Sequence, residues 1–212
     1  MTSNFILEAC VENLEEARQA ELRGAHQIEL CDRLDLGGTT PPLETIKAAK
    51  TQLKIRIKVM IRPRGGNFVY SSSELKTMEA SIDHCKAIGV EGVVFGILNT
   101  DNTLNIAQIA ALAKRARPLE VTIHRAIDEV PDIQVAVEKL ANIVDIHGVL
   151  SAGQANDAEA GKKTLRKMVE QAGERLVIIP GGKVSQENIF RLHQAIGSTC
   201  YHGTKIVGPL NQ

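Results

Sequence analysis

The chain has 212 residues, of which 43% are hydrophobic and 24% are charged, a composition typical of a soluble globular protein with a full core. Its 25 basic and 25 acidic residues give no net charge, and only 3% of residues are aromatic, which argues against a nucleic-acid partner. The first residues lack the regions of a signal peptide, and no apolar run would span a membrane, so we expect a cytoplasmic protein without a membrane partner.

Strand-like and helix-like segments alternate from end to end. In chain order, the predicted elements are strand 5–10, helix 12–23, strand 26–31, helix 43–52, strand 55–62, helix 74–88, strand 90–98, helix 106–116, strand 119–124, helix 132–142, strand 145–150, helix 158–172, strand 175–180, helix 186–195 and strand 199–203. Thr40 is a predicted N-cap of the second helix, and Ser71 with Glu74 is a predicted capping box of the third. Strict alternation predicts parallel strands joined by helical crossovers.

The polarity of the strands favours a closed (β/α)8 barrel over a doubly wound open sheet. In the third strand, aliphatic residues occupy one face, whereas Arg56, Lys58, Met60 and Arg62 occupy the other. The first, second and fifth strands alternate in the same way, although an open sheet has only two edge strands that could face water. The sequence therefore predicts one TIM-barrel-like domain over residues 1–212 with polar side chains inside the barrel.

The last helix of the predicted barrel is short or missing. Only TKIVGPLNQ follows the eighth strand, and this segment is too short for a normal crossover helix. One flank of the barrel would then lack its helix, so we expect that flank to support a homodimer or a higher homo-oligomer.

Soft metal ligands lie on the face that is predicted to line the barrel. Cys10, Cys31 and Met60 belong to three successive strands, and thiolate with thioether is the donor set that Cu(I) prefers. His124 or His202 could add an imidazole. The spacing matches no known metal motif, and buried Cys and Met are ordinary core residues, so residue type alone favours packing over metal binding.

A second interpretation is an anion site at the carboxyl ends of the strands. Arg62, Arg64 and Arg125 suit a carboxylate or phosphate, because guanidinium pairs with both in bidentate geometry. Gly181 and Gly182 offer backbone amides after the seventh strand, where many barrels bind phosphate. Arginines beyond a strand end have no core to fill, which favours a ligand over packing.

An anion site would make the nearby acid–base residues candidates for catalysis. The predicted catalytic set is Glu8, Glu29, His124 and Asp128. Glu8 and Glu29 would act as general acid and base, and His124 would carry protons because its pKa is expected near neutrality. The structural alternative is an ion-pair network inside the barrel, in which Lys58 and Arg62 pair with the two glutamates.

Several ordered motifs resemble the CutC family. These are EAC at 8–10, GAHQIELCDRLDLGGTTPP at 24–42, VMIRPRGGNFVYSSSE at 59–74, GVEGVVFGIL at 89–98 and VTIHRAIDE at 121–129. The resemblance implies a cytoplasmic, TIM-barrel-like copper homeostasis protein, often dimeric or larger, with no agreed enzymatic reaction. It also implies that Cys10 and Cys31 are the ligands of Cu(I).

The last third of the chain departs from the family pattern. Leu150–Gln154 stands where the family has Thr-Ser-Gly-Gly, and Lys183 replaces an expected glycine. Two hypotheses follow: a protein that binds Cu(I) through two cysteines, or an enzyme of unknown substrate that acts on a small anionic metabolite.

Overall fold

The computed structural model describes residues 5–210, within which eight strands and seven α-helices alternate as predicted. The strands are β1 (Ile6–Val11), β2 (Gln27–Leu30), β3 (Arg56–Met60), β4 (Gly92–Phe95), β5 (Glu120–Ile123), β6 (Gly148–Ser151), β7 (Val177–Pro180) and β8 (Cys200–Gly203). The α-helices are α1 (Leu14–Leu22), α2 (Leu43–Gln52), α3 (Ser72–Ile88), α4 (Ile106–Ala116), α5 (Ile133–Ala141), α6 (Ala158–Ala172) and α7 (Ile189–Ile196). The assignment of residues 1–212 to one domain stays a prediction, because it extends beyond this range.

All eight strands run parallel in one sheet, in the order β7-β6-β5-β4-β3-β2-β1-β8. The two end strands, β7 and β8, also lie beside each other. Ser198, just before β8, donates its hydroxyl to the carbonyl of Ile178 in β7 and so links them. The sheet therefore forms a nearly closed barrel, which confirms the TIM-barrel-like prediction.

The strands are buried on both faces, and the two faces differ in chemistry. The outward positions are aliphatic and pack in the main hydrophobic core; they include Ile28, Ile57, Val59, Val93 and Val121. Many inward positions are polar yet buried, namely Glu8, Gln27, Glu29, Lys58, Thr122 and His202, and the other inward positions hold two small apolar clusters. The alternation read from the strands is therefore confirmed as an aliphatic outer face and a polar inner face.

Of the two predicted helix caps, one is confirmed and one is wrong. Ser71 accepts from the Glu74 amide while the Glu74 carboxylate accepts from the Ser71 amide, which is a capping box at the start of α3. Helix α2 instead begins after Pro42 without a side-chain cap. The Thr40 hydroxyl accepts from the Arg62 amide at 2.8 Å, so it joins the loop before α2 to the end of β3.

No helix follows β8 in the described chain, which ends at Leu210. The segment after β8 covers part of the flank, because Ile206 and Val207 are buried in the core. Aromatic rings cover another part: Phe5 lies 5.2 Å from Tyr201 and 6.0 Å from Phe190, measured between ring centroids. The missing helix is confirmed, but the flank is only partly open. No helix in residues 5–210 is long and apolar enough to cross a membrane.

Candidate metal site at the barrel mouth

Three sulfur-bearing side chains meet at the carboxyl end of the barrel. Cys10 of β1, Met60 of β3 and Cys31, which directly follows β2, pack together, and each is nearly inaccessible to solvent. The two thiol sulfurs and a carboxylate oxygen of Glu29 all lie within 4.8 Å of one another. A Cβ on Gly38 would lie 3.4 Å from the Cys31 sulfur, so the loop after β2 closes tightly over the cluster.

The two cysteines differ in protonation. A hydrogen bond from Cys31 lowers the pKa of Cys10, and His202 contributes in the same direction against the effect of burial. The pKa of Cys31 is raised, first by this same hydrogen bond and then by burial. Of the two thiols, Cys10 therefore has the lower pKa and is the one that more readily forms a thiolate.

An ionic layer lies beneath the sulfurs. The carboxylate of Glu8 contacts Lys58 at 3.2 Å, Gln27 at 2.6 Å and Nδ1 of His202 at 2.9 Å. Burial would raise the pKa of Glu8, but Lys58 and His202 lower it to about 2. Glu8 is therefore a charged carboxylate with three partners, and the predicted pairing with Lys58 is confirmed.

Glu29 has the opposite character. Burial raises the pKa of this carboxyl group to about 8. One oxygen lies 3.5 Å from Nε2 of His202 and 3.7 Å from the sulfur of Cys31, whereas Oε1 has no partner. Burial opposes a charge on His202, but Glu29, Cys10 and Glu8 raise its pKa well above the usual range. His202 thus bridges the two glutamates and places a positive charge beside Cys10.

The surroundings of His124 favour its neutral form, which does not support the predicted role of proton carrier near neutrality. Burial, with the charge of Arg62, lowers the pKa of His124 to about 3. Nδ1 accepts from the amide of Ala126 at 3.2 Å, so the ring proton is assigned to Nε2. Nε2 is buried without a partner, and the ring lies 4.7 Å from that of Phe68.

Arg62 pairs with neither glutamate, so that part of the ion-pair prediction is wrong. Its Nη1 donates to the carbonyls of Leu36 and Gly38, both at 3.0 Å, and Nη2 donates to Gly66 at 2.7 Å. The guanidinium also lies over the ring of Phe68, 4.8 Å from the centroid. Its Nε is buried and has no partner.

The donors of Arg64 are taken up by its own loop. Nε contacts Glu74 at 2.5 Å, and the other nitrogens donate to carbonyls of Gly65, Asn67 and Val69. This arginine therefore ties the loop after β3 to the start of α3. Its geometry supports a structural role, and the predicted anion contact has no donor left to make it.

Asp128 and Arg125 connect the turn after β5 with the loop after β6. Asp128 accepts from the Ser151 hydroxyl at 2.6 Å and from the amides of Ala152 and Gln154. Arg125 donates to Asp128 at 2.8 Å and to the carbonyl of Ala155 at 3.3 Å. Asp128 is thus fully engaged within the fold, which does not favour the predicted catalytic role.

Gly181 and Gly182 are required by close packing. A Cβ on Gly181 would lie 2.6 Å from the side chain of Leu150, and the Gly181 amide donates to the Ser151 carbonyl at 2.9 Å. Gly182 has a φ of +87° and contacts the start of α6. Because the Gly181 amide is occupied, the geometry gives the anion proposal for this pair no support.

A cavity of about 410 Å³ opens at the amino end of the barrel, and a smaller one of about 120 Å³ lies at the mouth. The mouth cavity is lined by Cys10, Glu29, Cys31, Leu34, Gly37, Met60, Arg62, Phe68, His124, Arg125, Leu150 and His202. The structure thus brings together both predicted metal ligands, two of the four predicted catalytic residues (Glu29 and His124) and two of the three arginines. Sequence reasoning missed the bridging role of His202, although its place opposite Glu8 in the β1–β8 register is the signal that could have revealed it.

The comparison with protein families matches the CutC family over residues 5–207. The chain belongs to the CutC family. The human protein named copper homeostasis protein cutC homolog is 39% identical over 200 residues, which cover 94% of this chain and 73% of the human protein. The CutC protein of Chromobacterium violaceum is 38% identical over 199 residues, which cover 94% of this chain and 80% of that protein.

Solved structures agree with this assignment. A CutC structure from Streptococcus agalactiae superposes with a TM-score of 0.90 at 34% identity, covering 95% of this chain and 99% of that one. A dihydrodipicolinate synthase variant reaches a TM-score of 0.67 at 12% identity, covering 94% of this chain and 68% of that one, and shares the fold alone. The family resemblance read from the motifs is confirmed.

Proposed function

We propose that this CutC-family protein binds Cu(I) through Cys10 and Cys31, in the cytoplasm, as part of copper homeostasis. The observation that carries the proposal is the buried meeting of two thiols and the Met60 thioether at the barrel mouth. Thiolate and thioether are soft ligands that suit Cu(I), and the family's curated relatives carry the name copper homeostasis protein.

The protonation of the pair supports the same function. Metal-binding cysteines must be deprotonated, and the lowered pKa of Cys10, which a hydrogen bond from Cys31 causes, supplies one thiolate before any ion arrives. His202 adds a nearby positive charge, held by Glu8 and Glu29, that stabilises this thiolate. Exclusion of water by Met60 and Val94 protects the sulfurs from hydration and exchange.

Titration of the reduced protein with Cu(I), in competition with a chromophoric chelator, tests the proposal. We expect one equivalent to bind tightly, and we expect the Cys10→Ser and Cys31→Ser variants each to weaken binding strongly. Cys85→Ser is the matched control, because Cys85 is a buried thiol of α3 outside the cluster. The proposal fails if the double variant Cys10→Ser/Cys31→Ser binds copper as tightly as the wild type.

The alternative of an enzyme that acts on a small anionic metabolite has less support. Of its predicted acid–base residues, Glu8 is a charged carboxylate with three partners and Asp128 is fully hydrogen-bonded. Burial lowers the pKa of His124, which favours its neutral form. Only Glu29, whose pKa burial raises to about 8, has a pKa near neutrality, as a general acid or base requires. We also propose that the chain forms a homo-oligomer through the flank beside β8, where Phe190 is 60% exposed.

A further inference from the structure

Two nitrogen donors at the barrel mouth are buried without partners and belong to residues that line the same cavity. These are Nε of Arg62 and Nε2 of His124. Both side chains pack on Phe68, with the Arg62 guanidinium 4.8 Å and the His124 ring 4.7 Å from its centroid. Buried N–H groups are rarely left without an acceptor, so a pair of them beside one cavity indicates a place for ligand oxygens.

The charge of Arg62 points to an anion. Its side chain is only 4% exposed, and its partners in the fold are three neutral carbonyls. No carboxylate of residues 5–210 forms an ion pair with it, whereas the neighbouring arginines Arg64 and Arg125 are paired with Glu74 and Asp128. A buried charge is costly unless it is paired, so an anionic ligand would complete this site.

The size and walls of the cavity restrict the anion. A volume of about 120 Å³ equals roughly four water molecules at the liquid volume of about 30 Å³ each, which suits a ligand of a few non-hydrogen atoms. Leu34, Met60, Phe68 and Leu150 supply apolar walls. One guanidinium N–H and one imidazole N–H match the two oxygens of a single carboxylate better than the three acceptor oxygens of a phosphate.

We propose that the mouth cavity binds a small monocarboxylate with a short apolar tail, whose oxygens accept from Arg62 Nε and His124 Nε2. The two donors are separate from the copper ligands, although Cys10, Cys31 and Met60 line the same cavity, so the carboxylate site is tested on the copper-free protein. This site assigns His124 the role of a hydrogen-bond donor, and it gives the buried guanidinium of Arg62 its counter-ion.

The larger cavity at the amino end carries no comparable proposal. It holds about 410 Å³, but Arg56 on its wall is paired with Glu120 at 2.6 Å and Lys58 is held by Glu8. None of the unpartnered buried atoms of residues 5–210 belongs to its lining. The smaller cavity is therefore the one with unused binding capacity.

Calorimetric titration of the copper-free protein tests the site with formate, acetate, propionate and butyrate. We expect affinity to rise along this series until the apolar walls are filled, and we expect butyramide, the neutral isostere of butyrate, to bind at least tenfold more weakly. Sodium chloride at equal ionic strength controls for general salt effects. Binding of the amide and the carboxylate with equal affinity, or no heat from any carboxylate, would overturn the proposal.

Variants of His124 test whether its Nε2–H, rather than the ring contact with Phe68, binds the carboxylate. His124→Phe keeps the ring contact with Phe68 but removes Nε2–H, so it should weaken carboxylate binding about tenfold or more. His124→Gln keeps a donor close to the position of Nε2 and should restore much of the affinity. Arg56→Lys is the matched control, because Arg56 lies at the other end of the same strand and does not line the mouth cavity.

Variants of the copper ligands distinguish failure of the carboxylate site from failure of the copper site. Cys10→Ser/Cys31→Ser should lose Cu(I) binding and keep the carboxylate response, whereas His124→Phe should do the reverse. If His124→Phe binds carboxylates as the wild type does, the assignment is wrong even where copper binding is intact.

Discussion

At the residue scale, Glu8 and Glu29 show how two carboxyl groups on neighbouring strands acquire opposite properties. Both are almost fully buried, but Glu8 contacts Lys58, Gln27 and His202, whereas Glu29 leaves one oxygen without a partner. Lys58 and His202 outweigh burial and lower the pKa of Glu8 to about 2, whereas burial dominates at Glu29 and raises its pKa to about 8. The number of partners, and not burial alone, decides the charge.

The buried ion pair between Glu8 and Lys58 predicts a specific pattern of stability. Lys58→Met removes one partner and leaves Glu8 with less compensation, so the free energy of unfolding should fall by about 3–5 kcal/mol. Glu8→Gln/Lys58→Met leaves no unpaired charge between these two positions and should regain most of that loss. Urea unfolding of wild type, single and double variants gives the coupling, and strictly additive effects would contradict a functional ion pair.

His124 predicts a pH dependence that a variant can isolate. Burial and the charge of Arg62 lower the pKa of His124 to about 3, below its unfolded value of 6.5, so the folded state binds fewer protons. Its contribution is complete above pH 6.5 and is lost as pH falls toward 3, at about 1.4 kcal/mol per pH unit. Between pH 6.5 and 4.5, the wild type should lose roughly 3 kcal/mol relative to His124→Phe. Chemical denaturation at each pH measures this difference, and parallel curves would refute the assignment.

The inner-face residues could be predicted from the sequence, but the hydrogen-bond partners of Arg62 and Arg64 could not. A two-residue period assigns Glu8 and Lys58 to the inside without any knowledge of loops, and barrel closure brings them together. Arg62 and Arg64 instead bind carbonyls whose positions are set by the loops after β2 and β3. No periodicity encodes where a loop carbonyl points, so the sequence could not show that the loops occupy every donor of Arg64 and leave only Nε of Arg62 without a partner.

At the element scale, the departures from the family pattern fall on strained turns. Gln154, the last residue of the departing segment Leu150–Gln154, and Lys183, which stands where a glycine was expected, have φ values of 59° and 56°. Each has a compensating contact, because Gln154 Nε2 donates to the carbonyl of Val130 at 2.6 Å and Lys183 lies 3.5 Å from Asp157. These side chains offset a backbone cost of roughly 1 kcal/mol or more in the left-handed region.

Helix α6 lies so close to the loop after β6 that a glycine is required there. A Cβ on Gly161 would lie 1.8 Å from the carbonyl oxygen of Ala152. Helix propensity favours alanine by about 1 kcal/mol, but Gly161→Ala should still lower the free energy of unfolding by about 1–3 kcal/mol. Thermal and urea unfolding measure the change. The control is Ala160→Gly at the neighbouring exposed position, which should cost about 1 kcal/mol from propensity alone. If Gly161→Ala is more stable than the wild type, the approach of α6 to the Ala152 carbonyl is not close enough to require glycine.

At the scale of the whole molecule, alternation of elements was sufficient to predict the barrel. Eight strands joined by seven helical crossovers, with polar stripes on more strands than an open sheet has edges, leave few other arrangements. The prediction overstated the open flank, because it treated the chain after β8 as an absence of structure. In fact Ile206, Val207 and Leu210 bury their side chains and replace part of the missing helix.

The remaining gap in that flank exposes an aromatic ring. Phe190 of α7 is 60% exposed, although its edge contacts Phe5, which packs on Tyr201 of β8. A large exposed ring beside the position of an absent helix is a feature of surfaces that associate with a second copy. This flank therefore predicts where the proposed homo-oligomer forms.

Phe190→Glu should convert that oligomer to a monomer, because it would bury a charge against an apolar surface in the assembly. Sedimentation velocity over a range of concentrations measures the change, and circular dichroism confirms that the variant remains folded. Val135→Glu is the control, because Val135 is 44% exposed and lies on α5, which joins β5 to β6. An assembly that survives Phe190→Glu would place the interface elsewhere, and a wild-type protein that is monomeric at every concentration would remove the oligomer altogether.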